Sequence, residues 1–300
     1  MNNAMNKFIC LVASGLSLAV FPVRAHQPIM DMAPRWSGGW GLQVRQVWSG
    51  SDDYLDGSTE LSNPDGLERY VRQTWLEGVY TFDRSVRVTF KMPYIDKSRT
   101  IRSGGTPARQ QSSGWGDFVL AAPLKKYSNF EGYTHNFGFT PQVRMPTGSS
   151  RDDYALSDGS WDFGLGLSYS GEGYLFDSFP NLHFYHLYDL FYWENRKGAG
   201  GLQEGDELGF DVNVGMKLYH DNDNLTGAFL MWDMTARRQE FGNARTGAYE
   251  GKSLLTGPVL VWYKDALMIR GEWKASVYES LYRSGIARGN SFELGMGISF

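Results

Sequence analysis

Five stretches of this chain alternate, without a single exception on the apolar face, between large apolar residues and small or polar ones. Val86, Val88, Phe90, Met92 and Tyr94 interleave with Arg87, Thr89, Lys91 and Pro93. The same period of two runs from Phe137 to Met145, from Trp161 to Tyr169, from Leu208 to Leu218 and from Phe292 to Phe300. Side chains on a β-strand point alternately to opposite faces, so each stretch reads as a strand with two unlike sides. A soluble sandwich alternates too, but its polar face carries many Lys, Glu and Thr. Here the second face is rich in glycine, with isolated charges of both signs. Small residues suit a crowded concave lumen, and a broad apolar face suits lipid. The pattern predicts an all-β fold, a transmembrane antiparallel β-barrel.

Composition agrees. Glycine is abundant at 36 residues, aromatics reach 15%, and a mean hydropathy of −0.39 excludes a helical membrane protein. The one long apolar run, Phe8 to Phe21, is too short and too near the N-terminus to span a bilayer. With Lys7 before it and Val23-Arg24-Ala25 after it, this run reads as a signal peptide of residues 1–25. Residues 26–38 would follow as a periplasmic leader and 39–300 as the barrel of a Gram-negative outer-membrane protein. Cys10, the only cysteine, lies inside the signal, and Lys7-Phe8-Ile9 lacks the small residues that precede a lipidated cysteine. A mature chain without cysteine excludes disulfides, thiolate catalysis and cysteine–zinc sites. Removing Lys7 and Arg24 leaves 27 basic against 33 acidic residues, a net charge near −6 that disfavours nucleic acid as a partner.

Less regular alternation extends the count to twelve strands, at about 39–48, 69–81, 86–94, 115–125, 134–146, 160–170, 181–193, 207–218, 225–236, 254–263, 267–278 and 289–300. An even number returns both termini to one side, as bacterial barrels require. The connections then alternate between long (49–68, 95–114, 147–159, 194–206, 237–253, 279–288) and shorter. That is the contrast between extracellular loops and periplasmic turns. Trp40, Tyr80, Tyr94, Trp161, Tyr169, Tyr263 and Trp273 are candidates for the interfacial aromatic girdles. The last strand, ending on Phe300, resembles the signal read by the barrel-assembly machinery, and it must pair with the first strand to close the sheet.

Chemistry would sit on the inward face. Alternation places there Arg45, Glu77, Arg87, Lys91, Asp117, Lys125, Arg144, Asp162, His183, Asp189, Asp211, Lys217, Arg270, Glu272, Lys274 and Glu293. One reading is a hydrated lining whose opposite charges pair across strands to avoid unpaired buried charge. The other is a basic track of Arg87, Lys91, Arg144, Arg270 and Lys274 that steers anionic solutes. Catalysis is not expected. The twelve-stranded phospholipases need a His and a Ser together on the outer wall, and no histidine here has Ser two positions on. His183 and His186, three apart, point to opposite strand faces and do not make a metal site. The leader His26-Gln27-Pro28-Ile29-Met30-Asp31-Met32 has soft thioethers suited to Cu(I), although a leader with chance methionines explains it as well. The first long loop is acidic (Asp52, Asp53, Asp56, Glu60, Asp65, Glu68) and lacks the ligand spacing of a calcium loop. It would be solvated, or meet divalent cations that bridge lipopolysaccharide. The second loop is basic (Lys97, Arg99, Arg102, Arg109), so the two could pair with each other.

Gly114-Trp115-Gly116-Asp117-Phe118, then Pro141-Gln142-Val143-Arg144-Met145-Pro146-Thr147-Gly148, then Gly159-Ser160-Trp161-Asp162-Phe163-Gly164-Leu165-Gly166, form a G-x-G-D, P-T-G, G-S-x-D-x-G-x-G series. This series resembles the transporter-like outer-membrane proteins named for the meta-pathway of phenol degradation. The resemblance implies a barrel channel, often for hydrophobic or aromatic compounds, and it points to Asp117 and Asp162 as the positions to watch. A structural contact at the strand edge is the alternative for both. The expectation is a twelve-stranded outer-membrane barrel that passes small molecules passively, hydrophobic or aromatic compounds or organic anions among them, without a cofactor. The alternative is a structural or adhesive barrel with a plugged lumen, whose loops bind lipopolysaccharide or a protein partner.

Overall fold

The computed structural model describes residues 37–103, 106–130, 133–150, 154–174, 182–221, 223–243, 246 and 250–300. The expected signal peptide and the His26–Met32 leader lie outside them. Twelve staves follow one another around a closed antiparallel sheet: β1 (Gly39–Ser51), β2 (Arg69–Thr81), β3 (Arg87–Ser103), β4, β5 (Tyr133–Met145), β6 (Asp162–Tyr174), β7 (His183–Glu194), β8 (Glu207–Asp221), β9 (Thr226–Gln239), β10 (Gly251–Lys264), β11 (Leu267–Leu281) and β12 (Ser291–Ser299). Stave β4 comes in three pieces, Thr106–Trp115, Phe118–Ala121 and Leu124–Phe130. No described helix is long and apolar enough to cross a membrane; the strands do the crossing.

Closure is made by β12 against β1, Gly41 opposite Ser299 through Ser49 opposite Ser291. The terminal residue completes the seam. Trp40 N donates to Phe300 O at 2.7 Å and Phe300 N to Trp40 O at 2.8 Å. The seam closes the sheet into a ring, leaving no free edge between the last stave and the first.

The two faces sort as the alternation predicts. Phe137, Leu167, Trp232, Leu260, Leu294 and Met296 lie exposed on the outside, where lipid would cover them. Of the proposed girdle, Trp40, Tyr94, Trp161 and Trp273 are exposed, Trp40 packs on Tyr80, and Tyr169 packs on exposed Phe137. Tyr263 departs from this. It is buried inside, with Phe229, Met231, Val259, Val261 and Met268, in an apolar cluster at the short-turn end. The run Val259-Leu260-Val261-Trp262-Tyr263 is apolar on both faces, so its sequence carries no information about which set turns outward.

Several staves also outrun their expected limits. The connection expected over 95–114 is mostly strand: β3 continues to Ser103 and β4 begins at Thr106. Beyond the lipid band both faces meet polar surroundings, and the hydropathy contrast that marks a strand disappears. The first long loop carries small strands at Tyr54–Asp56 and Thr59–Leu61, the former paired with Gly285–Ile286 of the last loop. The acidic and basic loops do meet, through an Arg102–Asp65 ion pair.

Candidate functional site

Among the described residues, two chambers lie one above the other inside the barrel. The inner one, toward the short turns, holds about 480 Å³ and is lined by residues such as Gln43, Glu77, Thr89, Lys125 and Asn213. The outer one, toward the long loops, holds about 490 Å³ and is lined by Trp75, Ile95, Leu156, Trp193 and Glu207 among others. Both chambers are bounded by Arg45, Lys91, Val119, Gln142, Asp189, Asp211 and Arg237. That shared ring, drawn from seven staves, is the waist of the lumen.

Charges on one wall form a connected lattice. Arg45 donates from Nε to Glu77 at 3.1 Å and pairs with Glu293 at 2.7 Å. Arg270 joins Glu293 at 3.4 Å and also bonds Glu272. Lys274 reaches Glu272 at 2.7 Å, Asp233 at 2.8 Å and Thr235 Oγ1 at 2.9 Å. The small inward residues make room for these long side chains. Gly295 stands opposite both Arg45 and Arg270, and a Cβ there would lie 3.2 Å from Arg45 Cγ. A carboxylate for every arginine is what a low-dielectric wall demands.

This arrangement bears on both readings of the lining. Of the five cations in the proposed track, Arg144, Arg270 and Lys274 are held by carboxylates. Arg87 is buried near the short turns, 3.4 Å from Tyr127 Oη. Lys91 alone is exposed to the lumen, in register with Glu77, and no described carboxylate lies within ion-pair distance of it. The track is therefore interrupted by neutralised positions. Asp211 pairs with Arg237 at 3.3 Å, and Lys217 lies 5.5 Å from the Phe229 ring centre, among the apolar cluster.

Asp117 and Asp162 occupy structural junctions at the edge of the outer chamber. Between Trp115 and Phe118 the pairing of β4 with β3 slips by one residue, so Gly116-Asp117 is a bulge. Asp117 Oδ1 accepts from Gly148 N at 2.9 Å, and Thr147 Oγ1 accepts from Phe118 N and donates to Gly116 O, both at 2.9 Å. The G-D and P-T-G motifs thus lock each other. Asp162 accepts from Arg196 N at 2.9 Å and bonds Ser160, and it pairs with Arg144 at 3.4 Å.

The sequence did not mark the residues that narrow the outer mouth. After β5 the chain folds inward, burying Tyr154, Ala155, Leu156, Ser157 and Asp158. Lys97 Nζ donates to Ala155 O at 2.6 Å and Thr246 O at 2.5 Å, and Lys97 and Arg99 flank the Tyr154 ring at 4.2 and 4.3 Å. Asp158 accepts from Glu204 N at 2.9 Å, joining this loop to the one after β7. Burial pushes the Glu204 carboxyl above the usual carboxylate range, although Arg144 lies 3.9 Å away. Arg237 was missed because the expected strand stopped at 236; one more residue of alternation puts it inside. His183 and His186 fall on opposite faces, His186 outside against Tyr133 and Tyr169.

The family described as "Putative MetA-pathway of phenol degradation" matches residues 47–289. Among solved structures, an outer-membrane channel from Pseudomonas putida F1 superposes with a TM-score of 0.64 at 15% identity, covering 92% of this chain and 100% of that one. The β-domain of the Bordetella autotransporter BrkA (TM-score 0.44, 11% identity, 88% and 100% covered) and the KdgM porin (0.43, 10%, 87% and 99%) are more distant. No curated protein matches the sequence. A closed barrel of twelve staves with an apolar outer face is the architecture of an outer-membrane protein.

Proposed function

We propose that this chain, which belongs to the family described as "Putative MetA-pathway of phenol degradation", is a passive outer-membrane channel for small organic acids, aromatic ones in particular. The observation that carries the reading is the wall of the outer chamber, where guanidinium groups lie over aromatic rings. Arg144 stands 4.6 Å from the Trp193 ring centre and Arg237 4.3 Å from that of Phe191, with Trp75 and Ile95 on the same lining. Such a surface offers a flat apolar face and an N–H donor side by side, which suits a ring bearing a carboxylate. Its arginines are already matched by carboxylates, so a solute exchanges partners in passing rather than sinking into a deep trap.

Bacterial barrels put their short turns on the periplasmic side, so solute would enter through the chamber under the long loops. It would cross the waist between Arg45, Lys91, Asp189 and Asp211 and leave past the inner chamber. Liposomes containing the protein should swell faster in benzoate than in a neutral sugar of similar size. Equal rates for the two would remove the organic-acid preference, and no swelling in either would remove the channel.

A further inference from the structure

The outer mouth contains cations that the folded chain does not neutralise. Arg69, at the start of β2, points inward and stands directly across from Arg99 of β3. Like charges in register across two strands oppose each other. Arg99 spends its Nε on Gln110 Oε1, at 2.8 Å, and stacks on Tyr154. The Nε of Arg69 is buried without a hydrogen-bond partner. Arg288 lies in the last long loop, its backbone N bonded to Glu279. Its charged neighbours are Arg237, Arg69, Glu207 and Glu279.

Both neighbouring carboxylates are already committed. Glu207 pairs with Arg237 at 3.0 Å. Glu279 accepts from the backbone N of Arg288 at 2.6 Å and of Gly289 at 2.8 Å, and from Ser276 Oγ. Among the described residues, neither Arg69 nor Arg288 has a carboxylate within ion-pair distance. Burial, with Arg237 and Arg69 close by, pushes the Arg288 guanidinium down to about 10, a large departure for a group that otherwise stays protonated. On the neighbouring walls Arg45, Arg237 and Arg270 are each met by an acid. Here the acid is missing.

We propose that Arg69 and Arg288, with Arg237 beside them, form a binding site for a small oxyanion in the outer mouth of the barrel. The ligand class is a carboxylate or phosphate group on a molecule small enough to pass between the loops. Planar oxyanions accept two parallel bonds from one guanidinium, and several converging arginines are the usual way to hold them. The site deepens the channel reading, because it lies above the outer chamber and would load solutes into it. Its occupancy is measurable without any transport.

The test is calorimetric titration of the whole folded protein in detergent micelles with benzoate and, separately, with inorganic phosphate. The site predicts saturable binding that weakens as chloride rises. R69Q and R288Q should each weaken it at least about tenfold, the scale of one charge-assisted bond lost. R72Q serves as the control: Arg72 lies on the same strand, faces outward and pairs with Asp96 at 2.7 Å, so its loss should leave binding unchanged. Should R69Q fail to fold, as judged by the gel mobility of the unheated barrel, R288Q in its loop still decides the matter. Phosphate displacing benzoate marks one shared oxyanion site, whereas binding of benzoate alone narrows it to carboxylates. No binding of either anion, equal binding by all variants, or binding only of lipopolysaccharide would overturn it. Binding without swelling of liposomes would sink the channel and spare the site.

Discussion

Asp117 shows how a chemistry-bearing residue can belong to the frame. By alternation it was an inward carboxylate and a candidate for solute contact; it edges the outer chamber, but its oxygen is engaged by Gly148 N across a bulge. A hydrogen bond to an ionised acceptor stabilises by about 1.5–3 kcal/mol. Asp117→Ala should therefore lower stability by an amount in that range, read as an earlier urea midpoint in lipid, while Asp117→Asn keeps an acceptor and most of the effect. Unchanged stability with altered conduction would instead make Asp117 a solute contact. What the sequence could not reveal is the bulge itself, because a one-residue slip leaves no trace in the pattern of either strand. The pairing of Arg45, Glu77, Glu293 and Arg270 was hidden for a related reason. Alternation gives the face of each residue, while its partners depend on registers set by the whole closed sheet.

Among elements, the strands in the lipid band were legible and the segments above it were not. Lipid imposes a large penalty on polar groups, and the strict alternation from Val86 to Tyr94 or from Phe292 to Phe300 records that pressure. The upper reaches of β3 and the infolded loop from Tyr154 to Ser160 are shaped by particular hydrogen bonds, and their composition reads simply as loop. Lys97 ties the inward loop to its neighbour, its ammonium joining Ala155 and Thr246. Lys97→Met keeps the length of the stem and removes both bonds, and it leaves two carbonyl groups to find water. Limited proteolysis should then cut the 147–160 segment faster than in the parent protein, and the open-channel current should rise. Equal resistance to protease would mean that Tyr154 and its apolar neighbours hold the loop unaided.

At the scale of the molecule, the barrel is a continuous sheet around two hydrophilic chambers that meet at one ring of charges. Twelve strands place it between small barrels filled by side chains and wide porins with an aqueous channel. The charge lattice between β1, β2, β11 and β12 stiffens one wall. The opposite wall offers Thr140, Gln142 and Ser168, which can hydrogen-bond a passing solute without holding it. The overall charge of the chain said nothing of this, since the pairing along the wall is set by local registers.

The central claim is that the chambers communicate through the waist, and single-channel recording in planar bilayers tests it most directly. The purified protein should give discrete current steps. Val119→Trp, which adds bulk at a residue bounding both chambers, should reduce them on the order of twofold or more. An equally large substitution on the lipid face, Leu294→Trp, should leave them intact. Steps of the same size in all three proteins, or none in the parent, would contradict a conduit through this ring.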